Sequence, residues 1–430
     1  MTREDELAER LNADFYDPEA LFLLGKLYMD QGKNGLGAVL TSAAIDASPH
    51  FLEAKINLGA AYKAEHKNDI ALSVWKDALR CEMAPNRRAQ VMVNIAGLFL
   101  TNGTPDQAVR WCEKALEEDP NCWRAYADRG FAFLEQGRWE DGWEGLYLAH
   151  SKAGKRDCAL PEWNGAAGQK VFVYGGQGIG DEIFFASCLN DMASLSDKIV
   201  FECHPRLTEL FKRSFPDVEV HGRTAGVREW LLESDVDCSI GLAQLPWHFR
   251  KSDDDWTGEP YLKNHPGCHG APRGGPTKIG IAWSGGTKKT NQAARSVSLE
   301  ALTPIIDTWR EVEWHSLQYT ADAAREVCEF HERTGLRIEH EPGWVECEDY
   351  DRTASFVATL DLVITVCTSV HDLAGALGVP CWTLVPRQAS WRHAHNSYPW
   401  YGCAKPYRQD EAETTWTGVI ESIAQDLRGV

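Results

Sequence analysis

Small and hydrophobic residues recur at a fixed spacing through the first 150 residues of the chain. Small residues form pairs whose members are twelve positions apart, and successive pairs follow at steps of 34, 37 and 34 residues. Two antiparallel helices need small side chains where they cross closely, so each pair predicts one helical hairpin. Pro49, Pro85 and Pro120 stand where the second helix of a hairpin is expected to stop. The pairs are Gly25 and Gly37, Gly59 and Ala71, Ala96 and Ala108, and Gly130 and Gly142.

This period resembles that of the tetratricopeptide repeat family. Residues 24–28 (LGKLY) and 58–62 (LGAAY) repeat one pattern, and a three-residue insertion near residues 85–89 accounts for the longer step. The resemblance covers about residues 18–150 and predicts a repeat domain at 1–150, whose concave face docks a protein partner or acceptor. Two alternatives stay open: another helical bundle with small residues at its crossings, and an array that only braces the domain that follows.

After residue 168 the pattern changes to short apolar runs that alternate with helical stretches. This alternation is typical of a parallel α/β sheet. The polar stretch at residues 151–168 is interpreted as a linker, and a second break at residues 258–276 is rich in Gly, Pro and His. Two doubly wound halves are therefore expected, with a ligand in the cleft between the carboxyl edges of their strands. Strands are expected at residues 171–174, 198–203, 217–221, 278–283, 313–318, 362–366 and 381–385, and helices at residues 299–309, 321–334 and 369–377.

The first candidate for chemistry is the glycine loop at residues 175–181. Gly178 and Gly180 allow a ligand to approach the backbone, and the helix that follows presents free amides. The spacing is not G-x-G-x-x-G, and Glu202 is no clear ribose-binding acid, so nicotinamide or flavin binding is disfavoured. Asp181, at the start of the helix, is either a capping acid or a catalytic group.

The second loop follows the strand expected at residues 278–283. Ser284 and Gly285 precede Lys288, and Arg295 closes the segment. The order of residues is not that of a P-loop, but glycines, hydroxyls and cations after a strand are suited to a phosphate. A solvated basic loop is the alternative.

The third loop follows the strand expected at residues 362–366. Thr368 or Ser369 caps a helix whose Ala and Gly residues permit close packing on the sheet. The uncovered amides at this helix start favour a diphosphate. Capping without ligand binding is the alternative.

In this order, the three loops resemble those of the heptosyltransferase-like glycosyltransferases of the GT-B type, in particular bacterial proteins that fuse tetratricopeptide repeats to such a domain. The most specific parts are residues 177–181 (QGIGD) and 373–378 (LAGALG). The likeness covers about residues 160–428 and implies an α + α/β protein, in which a helical solenoid precedes a GT-B unit of two Rossmann-like halves. These halves are expected at 160–270, on the acceptor side, and 277–428, on the donor side. The architecture also resembles that of the eukaryotic O-GlcNAc transferases.

The resemblance implies a role for each loop. In the family, the aspartate after the glycine loop is the general base that removes the proton of the acceptor hydroxyl, and Asp181 stands at that position. The C-terminal half of the family binds a nucleotide diphosphate sugar, and cations and helix amides neutralise the leaving group without a metal or other cofactor. Gly178 and Gly180 would lie beside the acceptor. The implied donor contacts are Ser284, Gly285, Lys288, Thr368 and Ser369, with Arg295 as an addition.

One departure from the family pattern affects the function that is expected. The family usually reads Asp-Thr-x-x-x-His-Leu-Ala-Gly, whereas this chain has Cys367 at the acid and Asp372 at the histidine. His371 is one residue early, about 100° around the helix, so it does not replace the missing histidine. A changed donor, an altered sugar contact and lost activity are all compatible with this. The rivals to an inverting transferase are a scaffold with a vestigial transferase fold and a nucleotide-sugar epimerase.

Charge and composition narrow the partners. The chain has 44 Lys and Arg against 63 Asp and Glu, a net charge of −19, which argues against nucleic acid or an anionic membrane as the main partner. Residues 1–12 are charged, and no 18-residue stretch is free of charges, so a cytoplasmic protein without a membrane span is expected. The thirteen Cys include no Cys-x-x-Cys pair, which predicts reduced, mostly buried thiols rather than disulfides or zinc.

Two remaining groups of residues leave their roles open. The seventeen Trp exceed the number in an average chain of this length, and the clusters at residues 390–392 and 398–401 are equally suited to stacking on a base or sugar and to buried packing. Asp235-x-Asp237 and Asp349-x-Asp351 look like a metal motif of another glycosyltransferase class, but such short acidic pairs are common by chance.

Overall fold

The chain forms two compact units, Met1–Lys155 and Arg156–Val430. The computed structural model describes residues 2–153, 160–176, 178–226, 228–265, 276–286, 292–309, 311–345, 348–410 and 415–429. Within these residues the first unit is helical, and the second contains two parallel sheets with helices between their strands. The protein is therefore an α + α/β protein.

The first unit is a row of helical hairpins preceded by a single helix. Each helix packs on the next one along the chain, as the hairpins of a tetratricopeptide-like solenoid do. The single helix is α1 (Arg3–Ala13). The hairpins are α2 (Pro18–Asp30) with α3 (Asn34–Ala47), α4 (Leu52–Ala64) with α5 (Asn68–Ala78), α6 (Pro85–Thr101) with α7 (Pro105–Glu118), and α8 (Trp123–Glu135) with α9 (Trp139–Ala153).

The predicted small-residue pairs lie at the helix crossings. A Cβ atom on Gly25 of α2 would lie 2.9 Å from the carbonyl oxygen of Gly37 on α3, and one on Gly130 of α8 would lie 2.8 Å from that of Gly142 on α9. The space beside Gly59 on α4 is taken by the indole of Trp75, a buried side chain of α5. Small residues are thus needed because backbone or a large ring occupies the space a side chain would fill.

Two of the three prolines have the predicted position. Pro49 and Pro120 follow the ends of α3 and α7, but Pro85 is the first residue of α6. A proline fits there because the first helical residue needs no amide hydrogen for an intrahelical bond. The insertion near residue 85 therefore lengthens α6 to 17 residues instead of stopping α5.

The first sheet of the second unit has four parallel strands in the order β3-β2-β1-β4. Phe172 of β1 stands opposite Val200 of β2 and Ser239 of β4. Both neighbours of β1 are therefore fixed through hydrogen bonds, and β1 is central. The strands are β1 (Lys170–Tyr174), β2 (Lys198–Cys203), β3 (Val218–Gly222) and β4 (Cys238–Gly241).

The second sheet has five parallel strands in the order β6-β5-β7-β8-β9. Its inner strands are almost entirely apolar, as strands buried on both faces are. Ile281 and Ile364 lie in a core cluster with Val366, Leu384 and Ile423. The strands are β5 (Lys278–Ala282), β6 (Glu313–Ser316), β7 (Leu362–Val366), β8 (Cys381–Val385) and β9 (Ala404–Arg408).

Helices connect the strands within both sheets. With the first sheet lie α10 (Ile179–Ala186), α11 (Leu189–Ala193), α12 (Thr208–Ser214), α13 (Glu229–Glu233) and α14 (Pro246–Phe249). With the second lie α15 (Thr303–Thr308), α16 (Ala323–Thr334), α17 (Pro342–Val345), α18 (Tyr350–Val357), α19 (Ser369–Leu377) and α20 (Thr417–Leu427). The predicted helix at residues 299–309 begins as a 3-10 turn, Leu299–Leu302, before α15.

The sequence did not predict β4 and β9. β4 has four residues and includes Ser239 and a glycine, and β9 contains Pro406, which removes one backbone donor and is tolerated at a sheet edge. Neither has a long apolar run, so both depend on a neighbouring strand, β1 or β8, to form.

The described parts of the two predicted breaks are packed against the α/β unit. Trp163 is fully buried, and its amide donates to the carbonyl oxygen of Ser239 at 2.9 Å. Tyr261 donates its amide to the carbonyl of Ala376 at 3.0 Å and its hydroxyl to that of Ile183 at 2.8 Å. The interpretation of residues 151–168 as a linker is therefore wrong for residues 160–168, and the second break begins with a segment packed on the α/β unit.

None of the helices in the described ranges has the length and hydropathy needed to cross a membrane. The ten cysteines described there are free, and six of them are buried. Burial raises the pKa of the Cys188 thiol to about 11. Such thiols agree with the prediction of reduced, mostly buried cysteines.

The helix crossings provide a matched test of packing. We expect Gly130→Ala to lower the free energy of unfolding by about 1 to 3 kcal/mol, because its Cβ would meet backbone atoms that have no room to move. Gly97→Ala in α6 is the control, since its Cβ would meet only side-chain atoms at 3.4 Å and beyond, and helix propensity favours it by about 1 kcal/mol. Urea unfolding of the full chain measures both. Equal stability changes in the two variants would contradict the crossing.

Candidate functional site

In both sheets the predicted loops follow strands at or next to the point where the strand order reverses. In each sheet the chain winds outward in two directions from a central strand, β1 in the first and β5 in the second. Ligands of open parallel sheets bind outside the carboxyl ends of the strands at such a reversal of strand order. The glycine loop follows β1, the segment from Ser284 follows β5, and the segment from Thr368 follows β7, beside β5.

Close packing brings these loops together. A Cβ on Gly180 of α10 would lie 3.2 Å from the Cα of Ser369 and 2.6 Å from an Asp372 carboxylate oxygen, so the starts of α10 and α19 are in contact. A Cβ on Gly285 would overlap the methyl group of Thr368. The structure thus gathers the segments predicted for acceptor and donor at one place, and two glycines make the approach possible.

The hydroxyls at the start of α19 already have partners. Thr368 is 5% exposed, and its Oγ1 accepts from the amide of Val370 at 3.2 Å, which makes it the N-cap. Tyr350 donates its hydroxyl to Oγ of Ser369 at 3.1 Å. Thr368 therefore caps α19, as predicted, and ligand binding by either residue stays a prediction.

A buried glutamine, which is not among the predicted site residues, holds the loop after β5 through hydrogen bonds to its backbone. Gln318 is fully buried, and its Oε1 accepts from the amides of Trp283 and Ser284 at 3.1 and 2.9 Å. Its Nε2 donates to the carbonyl of Ser284 at 3.0 Å. The oxygens Oγ of Ser284 and Ser296 are 3.1 Å apart. A single glutamine after β6 gives no motif, so sequence reasoning had no signal for it.

Of the two cations predicted in the loop after β5, the structure describes Arg295 but not Lys288. Arg295 donates from Nη2 to the carbonyl oxygen of Cys367, which links the loop after β5 to the loop after β7. Lys288, predicted as a donor contact, lies outside the described residues. Of the predicted cations, Arg295 is thus the one that the structure places at the site.

Asp181 forms an ion pair that the sequence did not predict. Its Oδ1 lies 2.8 Å from Nη2 of Arg392, and Nη1 of the same guanidinium lies 3.1 Å from Oδ1 of Asp372. Arg392 therefore joins the residue proposed as the base to the acid that replaces the family's histidine. The sequence signal was weak: an unexpected acid on α19 and a cation in the loop after β8.

Asp372 and His371 belong to the first turn of α19, and both are almost fully buried. Burial raises the pKa of Asp372 to about 7, although Arg392 lowers it. Burial also lowers the pKa of His371 to about 3. Nδ1 of His371 is 2.8 Å from Oγ1 of Thr383, and its Nε2 has no hydrogen-bond partner in the structure. His371 thus faces the sheet rather than the cleft.

Two buried glutamates hold the loop after β1. Oε1 of Glu182 accepts from the amide of Gly176 at 3.1 Å and from Arg223 at 2.7 Å, and its Oε2 accepts from the amide of His204 at 2.6 Å. Burial raises the pKa of Glu182 in spite of these donors. Glu202, on β2, is fully buried and pairs with Arg228. Both carboxylates thus pair with arginine side chains.

The tryptophan and tyrosine clusters pack instead of lining an open surface. Tyr398, Trp400 and Tyr401 are at most 4% exposed. The Trp400 ring lies 5.4 Å from that of Phe184 on α10 and 5.3 Å from that of Trp256. The packing alternative is thus correct for residues 398–401, and the aromatic rings support the helix that carries Asp181.

One aspartate of each short acidic pair forms an ion pair with a Lys or Arg side chain. Asp235 forms an ion pair with Lys170, and Oδ2 of Asp351 accepts from Nη1 of Arg213 at 2.8 Å. Among the residues for which the structure gives positions, no group of three or more His, Cys, Asp or Glu side chains is arranged to hold a metal ion.

Comparison with known proteins finds a similarity that extends over most of the chain. No protein-family model matches. Protein FlbA of Caulobacter vibrioides is 25% identical over an alignment 468 positions long, which covers 94% of this chain and 77% of FlbA. Photosystem I assembly protein Ycf3 of Synechococcus is 31% identical over 68 residues, only 16% of this chain and 39% of Ycf3. The similarity to FlbA therefore includes both units.

Solved structures match the repeat unit. MamA is 23% identical with a TM-score of 0.32, and the match covers 35% of this chain and 86% of MamA. YrrB, described as a TPR protein with an unusual peptide-binding site, is 14% identical with a TM-score of 0.29 and covers 34% of this chain and 74% of YrrB. The assignment of tetratricopeptide-like hairpins rests on the helix pairs and crossings of this chain.

The buried imidazole predicts a loss of stability in acid. Below pH 6.5 the unfolded chain binds a proton at His371 that the folded chain rejects down to a pKa of about 3. We therefore expect the free energy of unfolding to fall, as the pH drops from 6.5, by up to about 1.4 kcal/mol per pH unit from this group. Urea unfolding between pH 7 and pH 4.5 measures it.

The variant His371→Asn should remove that part of the acid slope. The raised pKa of Asp372 makes the fold more stable as the pH falls, and this contribution is present in both proteins. The difference in unfolding free energy between wild type and variant at each pH therefore isolates His371. His50→Asn, at an exposed histidine of the repeat unit, is the control and should keep the slope. An unchanged slope in His371→Asn would show that this imidazole is protonated in the fold.

Proposed function

We propose that the α/β unit is an inverting glycosyltransferase of the GT-B type, which transfers a sugar from a nucleotide diphosphate sugar to an acceptor hydroxyl. The observation that carries the proposal is the meeting of the loops after β1, β5 and β7 at the contact between α10 and α19. Asp181 lies there with 41% of its side chain exposed, so an acceptor can reach its carboxylate. The first sheet takes the acceptor in this proposal, and the second takes the donor.

The proposed reaction is a single displacement at the anomeric carbon of the sugar. The acceptor oxygen forms the new bond to that carbon while its proton passes to the Asp181 carboxylate. The bond between the anomeric carbon and the phosphate oxygen breaks, and its electron pair leaves with the nucleoside diphosphate. Attack on the face opposite to the leaving group inverts the configuration.

Cations and amides beside the second sheet would offset the charge of the leaving diphosphate. Arg295 lies against the carbonyl of Cys367, and α19 begins next to it at Ser369, where the positive end of the helix dipole favours an anion. Gly285 lets the loop after β5 pack directly against Thr368, because a Cβ at this position would overlap the Thr368 methyl group. We therefore propose that Ser284, Gly285, Arg295, Thr368 and Ser369 contact the donor, together with Lys288, and that transfer needs no metal ion.

The residues that depart from the family pattern have structural partners. Cys367 is buried, its thiol donates to the carbonyl of Leu384 at 3.6 Å, and burial raises its pKa to about 12. Asp372 pairs with Arg392. The side chains at the replaced positions therefore form a hydrogen bond and an ion pair on the donor side instead of being left without partners. This favours a changed donor over the scaffold hypothesis, in which the fold has lost its activity.

The repeat unit would dock a protein partner or acceptor through the faces of α4, α6 and α8. Gly97 leaves a gap there, since a Cβ on it would lie 3.4 Å from Nζ of Lys63 and 3.6 Å from Oδ2 of Asp128. Burial lowers the pKa of Lys63 and raises that of Asp128 to about 6. The ammonium can donate to a peptide carbonyl and the carboxylate can accept from a peptide amide.

Removal of the proposed base tests the transferase. We expect Asp181→Asn to reduce kcat by about a hundredfold or more, because the acceptor proton then has no carboxylate to receive it. Nucleoside diphosphate binding should persist. Transfer is measured by release of the nucleotide, which is the diphosphate from UDP, GDP and ADP sugars and CMP from CMP sugars.

Asp235→Asn is the matched control, because Asp235 is a surface acid whose only described ion pair is with Lys170. It should leave turnover unchanged, and a chelator should not reduce the wild-type rate. Full turnover by Asp181→Asn would overturn the role of Asp181. Failure of every nucleotide and nucleotide sugar to raise the thermal stability of the wild type would support the scaffold instead.

The docking surface is tested with random peptides displayed on phage and selected on the full chain. Peptides that bind this surface should lose about tenfold or more in affinity for Lys63→Met, because the donor to a peptide carbonyl is removed. Lys26→Met, at an exposed lysine of α2, is the control. Equal affinity for wild type and Lys63→Met would place the peptides elsewhere.

A further inference from the structure

One guanidinium serves two carboxylates that differ strongly in exposure. Arg392 contacts Asp372, whose side chain is 4% exposed, and Asp181, whose side chain is 41% exposed. Asp372 belongs to α19 beside the second sheet, and Asp181 belongs to α10 beside the first. The proposed base is therefore paired with a cation on the donor side.

The surroundings of Arg392 fix one side of the guanidinium and leave the other open. The Phe184 ring lies 5.1 Å from its central carbon, and the hydroxyl of Tyr401 donates to Asp372 at 3.4 Å. Asp372 is buried, and a Cβ on Gly180 would lie 2.6 Å from its carboxylate. The ion pair with Asp372 is thus the fixed one, and the ion pair with Asp181 is the one that faces solvent.

We propose that the diphosphate of the donor displaces Asp181 from Arg392, and that this exchange releases the base for catalysis. The inference rests on the proposed transferase function and adds an order to it. While Oδ1 of Asp181 pairs with Nη2 of Arg392, the cation stabilises the carboxylate and makes it a weaker base. Once a phosphate oxygen takes Nη2, the carboxylate becomes a stronger base for the acceptor proton.

The balance of charge favours exchange over simple addition. A diphosphate that joined Asp181 and Asp372 around Arg392 would place three anionic groups on one guanidinium. The nearby Arg295 has Nη2 committed to the carbonyl of Cys367 and forms no ion pair with either acid in the described structure. Asp372 is buried and loses much by being left unpaired, so the exposed Asp181 is the partner that yields.

This arrangement makes Arg392 the link between the donor and the base. Because binding couplings are reciprocal, a carboxylate that competes with the diphosphate for Arg392 must weaken diphosphate binding. Removing that carboxylate should therefore tighten binding, although it abolishes transfer. A purely structural ion pair predicts no such gain.

The test is calorimetric titration of the full chain with UDP, GDP, ADP and CDP, followed by variants with the diphosphate that binds best. We expect Asp181→Asn to bind it about fivefold or more tightly than wild type. Arg392→Gln should bind it about tenfold or more weakly, and Asp181→Asn should give no gain when Arg392 is already Gln. The corresponding monophosphate should show a smaller change.

Arg325→Gln, which removes a cation paired with Asp322 on the surface, is the control and should leave affinity unchanged. If Arg392→Gln does not fold, Arg392→Lys replaces it, since it keeps the charge and loses the two-sided contact. Unchanged or weaker binding by Asp181→Asn overturns the exchange while the transferase proposal stands. Absence of binding by all four diphosphates to wild type overturns both.

Discussion

The contact between the starts of α10 and α19 determines the geometry of the candidate site. Gly180 lies against the Cα of Ser369 and the carboxylate of Asp372, at distances that leave no room for a side chain. Each helix begins after the carboxyl end of an inner strand of its sheet, β1 for α10 and β7 for α19. Because both are short connections from rigid strands, a change at this contact would move the Asp181 carboxylate relative to the donor loops.

Buried polar side chains keep the loops around this contact in place. Glu182 accepts from two backbone amides and from Arg223. Gln318 accepts from the amide of Ser284 and donates to its carbonyl oxygen. A buried side chain with several partners is costly to disturb, since each lost partner leaves a polar group without water. These residues would touch no substrate, yet they set the positions of the residues that would.

The two units solve the problem of close packing in the same way. In the repeat unit, Gly130 and Gly142 let the backbones of α8 and α9 meet, and in the α/β unit Gly180 and Gly285 do so at the site. The abundant tryptophans fill the remaining space: Trp75 lies against Gly59, and Trp400 packs beneath α10. Eight of the seventeen tryptophans are buried, so packing explains part of the tryptophan excess.

The sequence by itself determined the helical hairpins, most strands and the loops that carry Asp181, Ser284 and Thr368. These follow from local information: a period of about 34 residues, apolar runs, and glycines next to capping hydroxyls. Only the tertiary structure decided that β4 and β9 form and that Arg392 joins Asp181 to Asp372. Strand pairing and a shared ion pair join residues far apart in the chain, so no local pattern records them.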